Sequence, residues 1–154
     1  MSTRAIQFLK QKKIPFEIIT YHHKEKGAAF AAGATGFALE KTVKTLVVDI
    51  GRKQYTLVLM PGNRRLSMKH LARFYDTKRA AMVDVPTAER ITGYRVGGIS
   101  PFGTRQKLPV IMDRNILRFD RVLINAGQRG SMLLMAPADI RAALACEVAG
   151  VGDP

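Results

Sequence analysis

The sequence predicts an α+β fold: a mixed β-sheet curled into a partial barrel and flanked by helices, in one domain spanning residues 1–154. Three observations lead there. Helix-period segments and short β-branched runs are interspersed along the chain rather than grouped at one end. "VKTLVVDI" and "KQYTLVLM" flank Gly51-Arg52, the best hairpin signal in the chain. Apolar residues make up 47% of the 154, enough for a core without disulfides or metal, and no repeat, linker or low-complexity stretch divides them.

The elements follow in order. "STRAIQFLKQKK" opens with Ser and Thr and places Ile6 and Leu9 at helical spacing, so it reads as a helix that Pro15 ends. "FEIITY" reads as a strand. "GAAFAAGATGFALEK" is helix-like despite its three glycines. The hairpin comes next. "SMKHLARFY" is a short basic helix capped by Ser67, and "AAMVD" is a short strand. "VPTAERITG" is a helix stopped by Gly93. "LPVIMD", "RVLINAG" and "SMLLMA" are strands. "PADIRAALA" is a last helix with Pro137 at its start, and Cys146 is placed in that helix as a packing residue.

Charge is the strongest bulk signal. Lys and Arg number 25 against 12 acids, a formal +13 with a pI near 10.4. Such a field attracts polyanions, nucleic acid above all. The cations are spread along the chain with local clusters at 10–13, 64–73 and 114–121, unlike a disordered basic tail. Arg64, Arg65, Lys69 and Arg73 form one candidate nucleic-acid surface, with a solvated helix face as the plainer reading. Arg105 and Lys107 form another. No run approaches the length of a membrane span. "MSTRAIQFLKQKK" carries no apolar signal region, and a lone Cys146 can form no intrachain disulfide, so a cytoplasmic setting is expected.

Catalytic side chains are scarce. Adjacent His22 and His23 would face opposite sides of a strand, which makes them poor joint ligands. Nothing matches HExxH or paired CxxC, and no metal or other cofactor is expected. Ser100 lacks the GxSxG context of a nucleophile. What remains are two glycine-rich turns, Gly97–Gly103 and Asn125–Gly130. Backbone without a Cβ can approach a ligand closely, and its N–H groups can hold a phosphate or a developing oxyanion. Pro101 would stiffen the first turn. Both could equally be ordinary tight turns between strands.

The stretches "VKTLVV", "TGYRVGGISPFGTRQKLPVIMD" and "NAGQRG…PADI", in that order and with "AIQFLKQKKIPFEIITYHH" ahead of them, resemble the YbaK/ProX family, free-standing relatives of the editing domain inserted in bacterial prolyl-tRNA synthetases. The resemblance covers nearly the whole chain. It implies an aminoacyl-tRNA deacylase, which hydrolyses the ester between a wrong amino acid and tRNA, typically tRNA for proline. The implied partner is the misacylated 3′ end of tRNA, with prolyl-tRNA synthetase a second candidate; no membrane or DNA partner is expected. Lys44 matches the family's lysine at the tRNA 3′-terminal adenosine. Gly97, Gly98, Ile99, Ser100 and Pro101 match the GxxxP loop that approaches the ester. Asn125, Ala126, Gly127, Arg129 and Gly130 match the second glycine loop, where Arg129 could instead position the loop. Tyr21 matches an aromatic at the pocket rim, and Phe30 is aligned with another.

Two residues depart from the YbaK branch. Ala126 stands where a second glycine is usual, and Met132 stands where an aspartate helps define a cysteine-accepting pocket. The loss of that acid puts cysteine specificity in doubt and leaves room for another small residue, such as alanine or serine. An activated ester needs only a modest barrier reduction, so backbone donors assisted by the terminal ribose hydroxyl or the substrate's own side chain would suffice. Gly98→Ala is expected to clash with the acyl group or to strain a positive-φ backbone. A non-catalytic tRNA-binding module assisting a synthetase, and a hydrolase of small nucleotide-linked esters, stay open as other readings.

Overall fold

The computed structural model describes residues 2–22 and 28–153, with only the backbone of 28–30 among the latter. Helix α1 (Arg4–Gln11) starts at Thr3, whose Oγ1 accepts from the Ile6 amide at 3.2 Å, and it buries Ala5, Ile6 and Leu9. Strand β1 (Glu17–Thr20) and helix α2 (Ala28–Thr35) follow. A 3₁₀ turn at Leu39–Lys41 then leads into β2 (Val43–Asp49) and β3 (Tyr55–Pro61). Helix α3 (Met68–Phe74) begins at the expected cap, the Ser67 Oγ accepting from the His70 amide at 3.1 Å. After β4 (Ala81–Met82), α4 (Val85–Thr92) ends at Gly93, which takes the left-handed conformation (φ 80°) that stops a helix cheaply. Then come β5 (Val110–Asp113), a 3₁₀ segment at Arg114–Arg118, β6 (Val122–Gln128), β7 (Ser131–Met135), α5 (Pro137–Leu144) and β8 (Glu147–Ala149).

The strands form two sheets. One has the order β1-β7-β6, all antiparallel; the other has the order β4-β2-β3-β5-β8 and is mixed, with β5 parallel to both β3 and β8. The expected hairpin pairs Lys44 with Met60 and Asp49 with Tyr55. Its turn is longer than a two-residue reversal: Gly51, Arg52 and Lys53 all carry positive φ, and the Ile50 amide donates to the Gln54 carbonyl at 2.8 Å.

The expected barrel does not form. Closure requires every strand to be hydrogen-bonded on both sides. The two sheets touch through a single parallel bridge, Thr42 to Leu123, and β4 pairs with β2 only at Val48 and Asp49. Among the described residues, the β2 edge between those points is therefore left without a strand partner. A bulge between Asn125 and Gln128 breaks the β6 ladder just where closure would have to continue.

Core residues alternate along β3. Leu57 and Leu59 face a core shared with α1, α4 and α5, while Val58 and Met60 face one closed by Leu66, Leu71 and Val151. This two-sided burial explains why β3 is almost uniformly apolar. A third cluster, with Ala31, Leu123, Met132 and Leu134, packs α2 on the three-stranded sheet. Cys146 lies just past α5, which ends as Ala145 turns left-handed, and it is buried against the main core. Burial pushes its thiol up to about 12. Among the described residues, no helix is long and apolar enough to cross a membrane.

Candidate active site

A cavity of about 170 Å³ opens where the two sheets part. β2 supplies three consecutive residues, Val43, Lys44 and Thr45; the second sheet supplies Asn125 and Met132, with Tyr21 from the end of β1 and Ala31 from α2. Val96, Gly97 and Ile99 complete the wall. Successive strand residues normally face opposite sides. Three in a row can line one cavity because it wraps around the unpaired edge of β2.

The loop bearing Gly97 is clasped at many points. The Tyr94 hydroxyl donates to the Phe102 carbonyl at 2.5 Å and closes the loop at its base. Burial pushes that phenol up to about 12. The Val96 amide donates to the Glu89 carboxylate at 2.8 Å, and the Gly98 amide donates to the Arg95 carbonyl at 2.8 Å. Two groups from the second glycine loop bind it as well: Asn125 Nδ2 donates to Gly97 O at 3.2 Å, and Arg129 to Val96 O at 3.3 Å. Asn125 Oδ1 also accepts from the Gly127 and Gln128 amides, at 2.7 and 3.1 Å. One side chain thus orders both loops. Among the described residues, the amides of Gly97 and Ile99 have no acceptor.

Lys44 stands half-buried at the opening, and its ammonium pKa is lowered, chiefly by desolvation and further by the Arg65 guanidinium. The one ion pair among the described residues is Arg121 with Glu17, so Lys44 has no carboxylate partner there. Beside it, Thr45 Oγ1 is buried and, among the described residues, without a hydrogen-bond partner. An unpaired buried hydroxyl is costly unless a ligand completes it. Lys44 and Thr45 thus share a small space with the loop that carries Gly97 and Ile99, and with Tyr21 and Asn125.

The family model of the aminoacyl-tRNA editing domain matches residues 22–143. The chain belongs to this family. The editing domain is 30% identical, over 90% of its length and 85% of the relative's, to EbsC of Enterococcus faecalis, provisionally named a Cys-tRNA(Pro)/Cys-tRNA(Cys) deacylase. Among solved structures, one provisionally described as a trans-editing enzyme for prolyl-tRNA synthetase superposes with TM-score 0.87, at 22% identity, covering 100% of this chain and 99% of that one. A scaffold from an epitope-grafting design study superposes with TM-score 0.90, at 24% identity, over 98% and 96%. At these identities the likeness establishes the fold.

The site residues expected from sequence divide into two groups. Lys44, Gly97, Ile99, Tyr21, Asn125 and Met132 line the editing domain's cavity. The other expected residues support it from behind or lie elsewhere. Ser100 is fully buried, and its Oγ accepts from the Phe102 amide at 3.4 Å. Pro101 borders a separate groove against α1 and α5, together with Lys107. Ala126 is buried, its carbonyl accepting from the Thr3 hydroxyl at 2.5 Å. Gly127 (φ 96°) lies against the Tyr94 ring, where a Cβ would come within 2.7 Å of a ring carbon. The Gly130 carbonyl accepts from the Tyr21 amide at 2.9 Å. Arg129 reaches Val96 rather than the cavity, which places it as a clamp between the loops.

Gly98 corrects an expectation. Gly97, not Gly98, has the positive φ (96°). The missing Cβ of Gly98 faces the second loop, 3.0 Å from the Arg129 amide nitrogen and 3.1 Å from Gln128 backbone carbons. Phe30 lies on α2, but its side chain, like His23, is outside the described residues. Arg65 lies near Lys44, whereas Lys69 and Arg73 are exposed one helical turn apart on α3. Val43, Thr45 and Val96 were not singled out from sequence. Thr45 carried a signal only through its position next to Lys44.

The Arg65–Lys44 proximity has a measurable consequence. Protonation of Lys44 is harder in the folded chain than in the unfolded one, so stability attributable to this group rises with pH through the window below the ordinary lysine value. Arg65→Gln removes a like charge. The expected result is a higher Lys44 pKa, read from the ¹³Cε shift of labelled lysine across a pH titration. An unmoved titration would place Arg65 outside the site.

Proposed function

We propose that the chain hydrolyses the ester linking a small, wrongly attached amino acid to the 3′ end of tRNA, with tRNA for proline as the first candidate. The observation that carries this reading is the cavity that Lys44, Thr45, Gly97 and Ile99 line together. Family membership and the printed names of the relatives support it.

In this reading Lys44 pairs with a phosphate of the terminal nucleotide, an interaction that partial desolvation strengthens. The acyl carbonyl lies against the first loop, whose amides stabilise the oxyanion formed as water adds to the carbonyl carbon. The C–O bond to the ribose then breaks, and the ribose oxygen leaves with a proton. The clasped loop needs no rearrangement at that moment, which is the source of its catalytic value. The walls favour a small side chain, because Val43, Ala31, Ile99 and Met132 leave little room and present no charge. With methionine at position 132, 3% exposed and opposite Asn125, alanine or serine fits this space better than a substrate that needs an acid at the wall. The Thr45 hydroxyl supplies one polar contact to the amino acid.

The test is ester loss from a panel of tRNAs carrying Ala, Ser, Cys, Thr and Pro. Thr45→Val keeps the shape and removes the hydroxyl. It is expected to lower kcat/KM for the preferred substrate by about ten-fold, the scale of one lost hydrogen bond to a bound substrate, while thermal stability stays level or rises. An unchanged kcat/KM would make Thr45 a wall residue only. Binding of tRNA with no turnover of any ester would favour a non-catalytic module instead.

A further inference from the structure

A second groove, of about 430 Å³, runs along the outer side of the loop that walls the cavity. Gly93–Val96 and Gly98 line one side and Gly127–Arg129 the other; Val96 belongs to both spaces. Gly93 lines this groove, and two arginines from distant parts of the chain, Arg4 and Arg105, lie against Gly93 beside it. A Cβ on Gly93 would lie 2.7 Å from the Arg4 guanidinium and 3.7 Å from Arg105 Nε. Arg95 and Arg129 line the groove between that point and the cavity. All four are exposed, and none pairs with a carboxylate among the described residues. Two like-charged side chains thus lie against one glycine with no acid paired to either among the described residues. Arg4 also stands in the first turn of α1, where a cation opposes the helix dipole and no acid offsets it. Stability does not explain this arrangement; an anion held between the two arginines would.

We propose that this groove carries the phosphodiester backbone of the RNA strand whose 3′ end enters the cavity, with Arg4 and Arg105 gripping one phosphate over Gly93. The proposal rests on the reading of the cavity as an RNA 3′-end site and gives the strand its direction: out past Val96, along Arg95 and Arg129, to Gly93. Residues 93 and 96 are at most about 11 Å apart along an extended chain, so the cradle lies close to the cavity. Guanidinium forks suit phosphate oxygens, and the missing Cβ of Gly93 leaves room for the Arg4 guanidinium to lie against the backbone.

The experiment measures the affinity of the full chain for a short single-stranded RNA between 50 and about 300 mM salt. Each phosphate contact to a single strand contributes about 0.7 to the slope of log affinity against log salt. Arg4→Gln with Arg105→Gln removes the grip on that one phosphate and is expected to flatten the slope by about 0.7. Lys10→Gln with Lys13→Gln removes the same charge from α1 and the residues after it, away from the groove, and should leave the slope nearly unchanged. An unchanged slope in the arginine pair overturns the cradle. Equal flattening in the lysine pair also overturns it, since the effect would then be the general field. Melting curves identify a misfolded variant, and Arg4→Lys with Arg105→Lys, which keeps the charge and loses the fork, then serves as the second test: retained slope with weakened affinity supports the cradle, and unchanged affinity overturns it. A chain that hydrolyses no aminoacyl ester but shows the flattened slope overturns the proposed activity and leaves the cradle standing.

Discussion

Lys44→Ala is expected to lower ester hydrolysis at least about 100-fold, the scale seen when one preorganised electrostatic contact to a transition state is lost, while the melting temperature holds or rises. Lys44 is half-buried and its charge is desolvated without a carboxylate, so the fold gains little from its ammonium. The alanine variant should therefore be well folded and inactive. Single-turnover hydrolysis of a mischarged tRNA, run beside a thermal melt, measures both. Full activity in a folded variant would remove Lys44 from the reaction and leave the cavity without a cation of its own.

Gly98→Ala is the second large effect, and its cause is the packing of one loop on the other. The added methyl meets backbone at 3.0 to 3.1 Å, and neither loop can yield by rotating a side chain. The Gly97 loop is fixed by the Tyr94, Glu89 and Asn125 bonds, and the second loop by Asn125 and Thr3. Overpacking of this kind costs about 1–3 kcal/mol. Prying the loops apart also moves the Gly97 and Ile99 amides, so turnover should fall more than ten-fold while affinity for uncharged RNA changes little. Activity falling only with the unfolded fraction would mean that the loops are scaffold alone.

Much of this was legible because the signals were local. Ser67 ahead of "MKHLARF", Gly93 after "VPTAERIT" and Ile6 with Leu9 state helix ends and faces within a few residues. The hairpin was legible because both strands and their turn are contiguous. β8 was missed because three residues pair in parallel with a strand more than thirty positions away, and no turn announces such a pairing. The barrel was expected because strand-forming runs do not say which edges remain open; the decisive feature is the single Thr42–Leu123 bridge. The cavity exists because that seam fails to close, so the error about the fold and the silence about Thr45 share one origin. The two glycine-rich turns stood out in the sequence itself, whereas Lys44 and the roles expected of the turns came through resemblance. That Ser100, Pro101 and Ala126 sit outside the cavity depends on how one loop leans on another, which spacing does not encode.

The Thr3 hydroxyl accepts from the first turn of α1 and donates to the second loop, while the Asp153 amide donates to the Arg65 carbonyl at 2.8 Å, next to Lys44. Thr3 is thus latched to the second glycine loop and Asp153 to the backbone of Arg65. For anyone building with this domain, that is a practical constraint. A change that strains Thr3 or Asp153 would pull on a latch, and lost activity could be mistaken for a lost catalytic group. The hairpin turn at Gly51–Lys53 is exposed and sits roughly 20 Å along β2 from Lys44. Insertions, dyes and surface tethers belong there.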